Sequence, residues 1–557
     1  MNQSHMTKSC SIPALMLLML WLWPATAASQ PAAPKVTDAA TPGTTPNVVI
    51  ILADDLGYGD VQCYNKERGK IPTPHIDRLA AQGMRFTDAH SSSGVCSPSR
   101  YTLLTGRYHW RTRLQAGIVG VWEKLLIAPD RLTLAGLARQ HGYVTACVGK
   151  WHLGWDWPIP QGKRAMLWPV AEGDKDKPKD KAGAKPASKA KSAAASDEQR
   201  AFWKELFSQP IPGGPTARGF DEYFGTDVPN WPPYCFIEND RTVGIPSEFL
   251  PAGLFKDHLA SLPGPALKDW KLESILPALA DRASDFIARQ AKAGKPFLLY
   301  LPLTAPHTPL AVNDAWKGKS GLGTYADFVM ETDAQVGRVL KAIDDAGVLD
   351  NTLVIFTSDN GCAPYIGVDA LEKQGHYPSG PLRGYKGDAF EGGHRVPFIV
   401  RYPGVTKPGS VCGQTVGQVD IMATLADVLG AKLPDTAGED SVSLLPLLRG
   451  QEQAIHEAVV HHSSQGRFAI RSGKWKLQLS PGSGGPWGSP TDAAARQKGL
   501  PALQLYDLEA DPGETKNLHD TQPAEVERLR KLLENMIAAG RSTKGPAARN
   551  DVEVKVR

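Results

Sequence analysis

Six short segments between residues 54 and 386 carry side chains that could hold a cation and handle an anionic ester. Asp54-Asp55 follows the apolar run Val48–Leu52, and Asp359-Asn360-Gly361 follows the run Leu353–Thr357. Three carboxylates and an amide carbonyl are hard oxygen donors, suited to calcium or, less well, magnesium. Asp and Asn also cap helices and fill turns. Two acidic pairs at the ends of two buried strands favour a metal, since α/β sheets bind ligands at the carboxyl ends of their strands. Between them lies Cys96-Ser97-Pro98-Ser99-Arg100. Ser97 suits an N-cap, Pro98 a first helical position and Gly106 a helix end, which predicts a helix over Pro98–Thr105. An anion at Cys96 would then meet the helix dipole, free N–H groups and the Arg100 guanidinium. Taken alone, Cys96 would be an ordinary buried cysteine. Lys150 and His152, two apart at a strand end, are expected to face the same side. His307 follows the strand Phe297–Leu301, and Lys386 sits in the loop Arg383–Gly387.

The elements that must position these groups read as an α/β domain. Val48–Leu52, Phe297–Leu301, Leu353–Phe356 and Phe398–Val400 are continuous apolar runs, the pattern of strands buried on both faces. Helical patterns at Thr73–Gln82, Leu132–His141, Glu273–Lys292, Tyr325–Ala346 and Val419–Leu429 alternate with them. The fold class is therefore α/β, a large domain with a mostly parallel central sheet between helices, assigned to residues 47–450. Residues 451–545 carry short strand patterns and a helical stretch at Ala524–Ala539, and read as a small antiparallel sheet with one helix. Residues 546–557 are a tail.

Composition sets bounds. The chain has 557 residues, a net charge of +4, 42% hydrophobic and 22% charged residues, the profile of an ordinary globular protein. Charges of both signs are spread along it, so nucleic acid is not an expected partner. Lys8, the apolar stretch Ile12–Trp23 and the small residues Ala25–Ala28 form a secretory signal over residues 1–27, followed by a leader over 28–46. The apolar run is too short to span a bilayer, so no stable membrane anchor is expected and the protein is placed in the periplasm or outside the cell. A Lys/Ala-rich insertion at about 171–200 has too few apolar side chains to fold and is expected to be disordered. Removing Cys10 with the signal leaves six of the seven cysteines, Cys96 among them. No C-x-x-C spacing suggests zinc.

Cys-x-Pro-x-Arg followed by Tyr101-Thr102-Leu103-Leu104-Thr105-Gly106-Arg107 resembles the maturation signature of type I sulfatases. The order of segments is similar to that family throughout: the Asp pair, the cysteine motif, Gly149-Lys150-Trp151-His152-Leu153-Gly154, Pro306-His307-Thr308-Pro309, Ser358-Asp359-Asn360-Gly361, and the Lys386 loop leading into Gly392-Gly393-His394-Arg395-Val396-Pro397. His394 departs from the aliphatic residue common at that position. The resemblance implies an alkaline phosphatase-like fold and a calcium held by Asp54, Asp55, Cys96, Asp359 and Asn360. It further implies that a formylglycine-generating or radical maturation enzyme oxidises Cys96 to formylglycine, an aldehyde. One hydroxyl of the hydrated aldehyde would attack sulfur, and the second would expel sulfate. Arg100, Lys150 and His152 would hold that group, Asp359 would serve as base, and His307 and Lys386 would assist the leaving oxygen.

Two alternatives remain at this level. A phosphate or phosphonate monoester hydrolase shares the fold and the modified cysteine, and an unconverted Cys96 would leave a non-catalytic sulfated-sugar binder. The expected substrate is a sulfated carbohydrate, with aryl sulfates as artificial substrates. Gly120-Val121-Trp122 and Asp227–Tyr234, with Trp231, are the segments expected near the sugar.

Overall fold

The computed structural model describes residues 45–168, 194–251 and 261–556. Ten strands form one sheet: β1 (Asn47–Asp54), β2 (Met84–Phe86), β3 (Val144–Lys150), β4 (Glu222–Thr226), β5 (Ile237–Glu238), β6 (Arg241–Thr242), β7 (Phe297–Pro306), β8 (Thr352–Ser358), β9 (Phe398–Arg401) and β10 (Ser410–Cys412). Their order is β10-β2-β9-β8-β1-β7-β3-β4-β5-β6. The central five, β8-β1-β7-β3-β4, are all parallel, while β9 runs antiparallel to β8 and to β2.

The continuous apolar runs have the expected cause, because every residue of β1 and β7 is buried. Alternate side chains of β1 enter two separate cores. Val48, Ile50 and Leu52 pack with α2 (Cys96–Thr105) and α3 (Leu134–Gln140). Val49, Ile51 and Ala53 pack with α1 (Pro74–Gln82), α5 (Ile275–Ala293) and α6 (Thr324–Asp345). The sheet is thus the middle of three layers, and its carboxyl edge collects the ends of β1, β3, β7 and β8.

The expected signal peptide lies outside the described residues, as do nearly all of the leader and most of the insertion at about 171–200. The last residues of that insertion are ordered, contrary to expectation, because α4 (Asp197–Phe207) begins there. Ser196 and Gln199 form a reciprocal capping box, and Trp203, Leu206 and Phe207 anchor the helix in the core. Among the described residues no helix is long and apolar enough to cross a membrane.

A four-stranded antiparallel sheet follows, β11 (Val459–His462), β12 (Phe468–Ser472), β13 (Trp475–Gln478) and β14 (Gln504–Asp507), in sequential order. One helix (Pro523–Ala538) lays Leu529, Leu533 and Met536 on Phe468, Ile470 and Leu477. Buried ions fasten this sheet to the main one: Lys476 Nζ lies 2.9 Å from Glu391 and 2.8 Å from Glu514, and Arg471 lies 2.7 Å from Asp88. His394 belongs to this seam. Its ring stacks on His461 at 4.0 Å, its Nδ1 lies 3.1 Å from Nδ1 of His90, and its Nε2 lies 3.2 Å from Lys476 Nζ. An aliphatic residue could make none of these polar contacts. The tail is tied down too, since Asp551 pairs with Arg107 at 3.0 Å.

Candidate active site

The helix that carries Cys96 starts two residues earlier than the capping pattern predicts. Val95 is the N-cap and Cys96 the first helical residue, because Ser97 Oγ instead accepts a hydrogen bond from Val119 N at 3.1 Å. Gly106 ends the helix as expected, at φ 63° and ψ 23°, a left-handed conformation that glycine adopts without strain. Cys96 is 2% exposed, its Sγ 3.6 Å from Asp54 Oδ1 and 3.6 Å from Lys150 Nζ. None of the six described cysteines is in a disulfide.

Around it the strand ends converge. Lys150 Nζ donates to Asp54 Oδ2 at 2.7 Å, and Lys386 Nζ donates to Asp55 Oδ2 at 2.7 Å. Arg100, one turn into α2, clamps Asp359 Oδ2 with Nε at 3.1 Å and Nη2 at 2.7 Å, and donates from Nη1 to the Lys150 carbonyl at 3.0 Å. Asp359 Oδ1 accepts from Asp55 N at 3.1 Å, and Asn360 Nδ2 donates to Asp55 Oδ1 at 2.7 Å. His307 Nε2 lies 3.6 Å from Asp55 Oδ2, and its Nδ1 bonds to the Thr308 carbonyl. Asp55 itself has φ 63°, the turn that points the two aspartates into one site.

The electrostatics follow from burial against paired charge. Burial pushes Asp54 up, but Lys150, His307 and Arg100 outweigh it and hold the carboxyl well below its usual range. Burial and the neighbouring Asp54 raise Asp359 instead. Burial lowers His307 to about 4, with Lys386 adding to the shift. Burial lowers Lys386, but Asp55, Cys96, Tyr365 and Asp54 together outweigh it and raise the ammonium above its usual range. Burial, with Asp359 beside it, keeps the Cys96 thiol protonated.

The donor set fits a hard divalent cation. Donor atoms of Asp54, Asp55, Cys96 and His307 lie within 4.8 Å of one another, and the buried Asn360 Oδ1 has no hydrogen-bond partner. An amide oxygen left bare has the chemistry of a hard-cation ligand. His307, absent from the sequence-derived metal set, joins the cluster, whereas Asp359 is drawn toward Arg100.

Other expectations resolve differently. His152 does not continue the alternation of β3, which ends at Lys150; its φ of 51° breaks the strand geometry on which a shared face was expected. Both its ring nitrogens are buried without a partner, and Lys150, Arg100, Asp54 and His307 act on it electrostatically. Asp227 Oδ1 accepts from His152 N at 3.1 Å, and Trp231 stands edge-on to the His152 ring at 5.1 Å, so this expected segment does border the site. Trp122 does not serve as an open sugar contact: it is 5% exposed and packs on Trp157 and Phe207 in the core. Two exposed aromatics near Lys386, Tyr365 and Trp487, carry no motif; the single hint is a tryptophan in the otherwise Gly/Ser/Pro loop Pro481–Pro490.

Comparison with known proteins agrees with this geometry. A family model described as Sulfatase matches residues 46–431. The chain is 34% identical to an N-acetylgalactosamine-6-O-sulfatase of Bacteroides thetaiotaomicron, over 88% of this chain and 93% of that protein. It is 32% identical to human arylsulfatase A, over 85% and 83% respectively. A solved structure from work on the metabolism of multiple glycosaminoglycans by Bacteroides thetaiotaomicron superposes with a TM-score of 0.72, at 31% identity, covering 88% of this chain and 99% of that one.

Proposed function

The chain belongs to the sulfatase family, enzymes that hydrolyse sulfate esters, and on that premise we propose that it is an exported carbohydrate sulfatase using formylglycine made from Cys96 and one calcium ion. The observation that carries the reading is the convergence of Asp54, Asp55, Cys96 and His307 at the first residue of α2, with Lys150 and Lys386 each 2.7 Å from a carboxylate of the cluster.

Asp54, Asp55, Asn360 Oδ1 and residue 96 would hold the cation, which when bound would supply Lewis acidity and a template for the sulfate oxygens. Formylglycine at position 96, once formed and hydrated, would supply one hydroxyl as nucleophile and a second for release of sulfate. The remaining work falls to the chain's own side chains. Arg100 fixes Asp359 through two hydrogen bonds, which keeps that carboxylate oriented beside Cys96. Asp359, raised by burial, is suited to accept the proton of the attacking hydroxyl. Lys150 neutralises Asp54 and lies against the Cys96 side chain, so it orients residue 96. His152, with both ring nitrogens unpartnered, has a hydrogen bond to give to a group at that position. Lys386, paired with Asp55, opposes the negative charge that grows on the departing alcohol oxygen, while His307, neutral and also beside Asp55, lines the same departing group.

The similarity to an N-acetylgalactosamine-6-O-sulfatase makes N-acetylgalactosamine 6-sulfate the first substrate to try. The test pairs two measurements on protein made with a maturation enzyme. Mass spectrometry of the Cys96 peptide should show the aldehyde, and the same protein should release sulfate from sulfated sugars faster than phosphate from matched phosphate esters. An unmodified thiol in active protein refutes the mechanism, and preferential phosphate release refutes the assignment of substrate.

A further inference from the structure

Seven large hydrophobic side chains among the described residues are more than a third exposed, and the two aromatics among them, Tyr365 and Trp487, touch each other. They are 40% and 48% exposed, with ring centroids 5.5 Å apart and planes at 70°, an open corner rather than a closed stack. Exposed apolar area kept in one patch marks a binding surface more often than isolated residues do.

Three glycine backbones seat this corner beside the site. Gly94, two residues before Cys96, accepts a hydrogen bond from the N–H of Gly387, the residue after Lys386, at 2.7 Å. A Cβ on Gly485 would stand 2.6 Å from the Gly387 carbonyl oxygen, and one on Gly387 3.0 Å from Cε3 of Trp487. The loops of Cys96, Lys386 and Trp487 therefore meet where any side chain would hold them apart. The Trp487 loop is also fixed in advance. Ala389 N donates to Ser483 O at 2.8 Å, Ser483 N to Pro490 O at 2.9 Å and Gly484 N to Asp492 Oδ1 at 3.1 Å. Tyr365 links the corner to the chemistry. Burial raises its phenol to about 12 while Lys386 opposes the rise, so its hydroxyl end lies in the field of the site although its ring is open.

We propose that Tyr365 and Trp487 form a carbohydrate platform on the Lys386 side of the active site, on which a pyranose ring of the sulfated substrate stacks. The proposal rests on the sulfatase reading above. A pyranose presents a C–H face and a rim of hydroxyls. The face suits the indole, and the rim suits the phenol and water at the corner. A platform already set in place loses little freedom on binding, which is how a single stacked ring yields affinity.

Binding without turnover separates the platform from catalysis. Calorimetric titration of the Cys96→Ala protein uses a panel of sulfated disaccharides led by one carrying N-acetylgalactosamine 6-sulfate. We expect Trp487→Ala to weaken binding about tenfold. Trp487→Phe should retain most of the affinity, and Val411→Ala, at an exposed site elsewhere, should change nothing. In the converted enzyme Trp487→Ala should act mainly on KM and far less on kcat. Binding unaltered by Trp487→Ala, or no binding of any sugar in the panel, overturns the platform. Trp487-dependent binding without sulfate release by the converted wild-type protein supports the platform and overturns the sulfatase reading instead.

Discussion

Replacing Lys386 with methionine removes one buried charge and keeps the length of the stem. Lys386 is 5% exposed, with its ammonium 2.7 Å from Asp55 Oδ2. That burial decides the size of the effect. A unit charge about 4 Å from a developing alkoxide contributes ~1 kcal/mol in bulk water but ~4 kcal/mol at an effective dielectric near 20. At about 1.36 kcal/mol per decade the second value is nearly three decades of rate, within the ~10²–10⁴ typical of acid–base assistance. The loss should depend on the leaving group. A sugar alkoxide keeps its charge on one oxygen and needs the ammonium, whereas nitrophenolate spreads the charge over its ring. Sulfate release from a sulfated sugar should therefore fall about 10²–10⁴-fold in Lys386→Met, and release from 4-nitrophenyl sulfate less than about tenfold. Both assays use the same preparation, so any loss of folded protein cancels in the ratio. Equal losses on the two substrates would show that Lys386 acts before the leaving group departs, and the reasoning would fail.

Three further outcomes follow from other parts of the molecule. Chelation should lower the melting temperature and calcium should restore it, by about 2.7 kcal/mol at 100 times the Kd, with no calcium response in Asp55→Asn; an equal response in that variant would place the ion elsewhere. Burial holds His90, His394 and His461 below the usual histidine range, so between their folded values and about 6.5 the unfolded chain binds more protons. The contribution of these histidines to stability should then fall as pH drops below about 6.5, by up to ~1.4 kcal/mol per unit per histidine. His456, raised by Asp420 despite its burial, contributes in the opposite sense: its stabilisation is present at low pH and lost as pH rises through its folded pKa. Asp227, Asp333 and Asp388, raised by burial to about 6, 7 and 7, act in the same sense as His456, so the histidine contribution is read as a difference: a melting temperature that falls between pH 7 and pH 5 as much in His461→Phe as in the parent protein would contradict it. Lys476→Met leaves Glu391 and Glu514 buried without their shared cation and should cost about 3–5 kcal/mol in urea unfolding; a loss below 1 kcal/mol would show that the seam is not held by charge.

The parallel sheet was legible because burial on both faces leaves an unmistakable run of apolar residues, and the site loops were legible because they end those runs. Local rules reached less far where a side chain had a distant competitor. Ser97 reads as a cap from its neighbours alone, yet Val119, 22 residues on, takes its hydroxyl. Trp122 reads as a sugar contact only until Trp157 and Phe207 close over it. Lys476 meets Glu391 across 85 residues and Glu514 across 38, and no periodicity encodes such a pairing. The place of Trp487 depends on glycines in three separate segments, each unremarked by itself.

The anchoring of α2 also sets a clock. Arg107 and Arg111, just beyond its end, are locked by Asp551, 444 residues after Arg107, and by Asp440, 329 residues after Arg111. A ribosome adding ~5–20 residues per second needs about 20–90 s to travel from Arg107 to Asp551. For that interval Arg107, eleven residues after Cys96, lacks the Asp551 carboxylate it holds in the finished molecule. On the maturation proposed above, the enzyme that oxidises Cys96 would find this stretch least tied down while the chain is still being made.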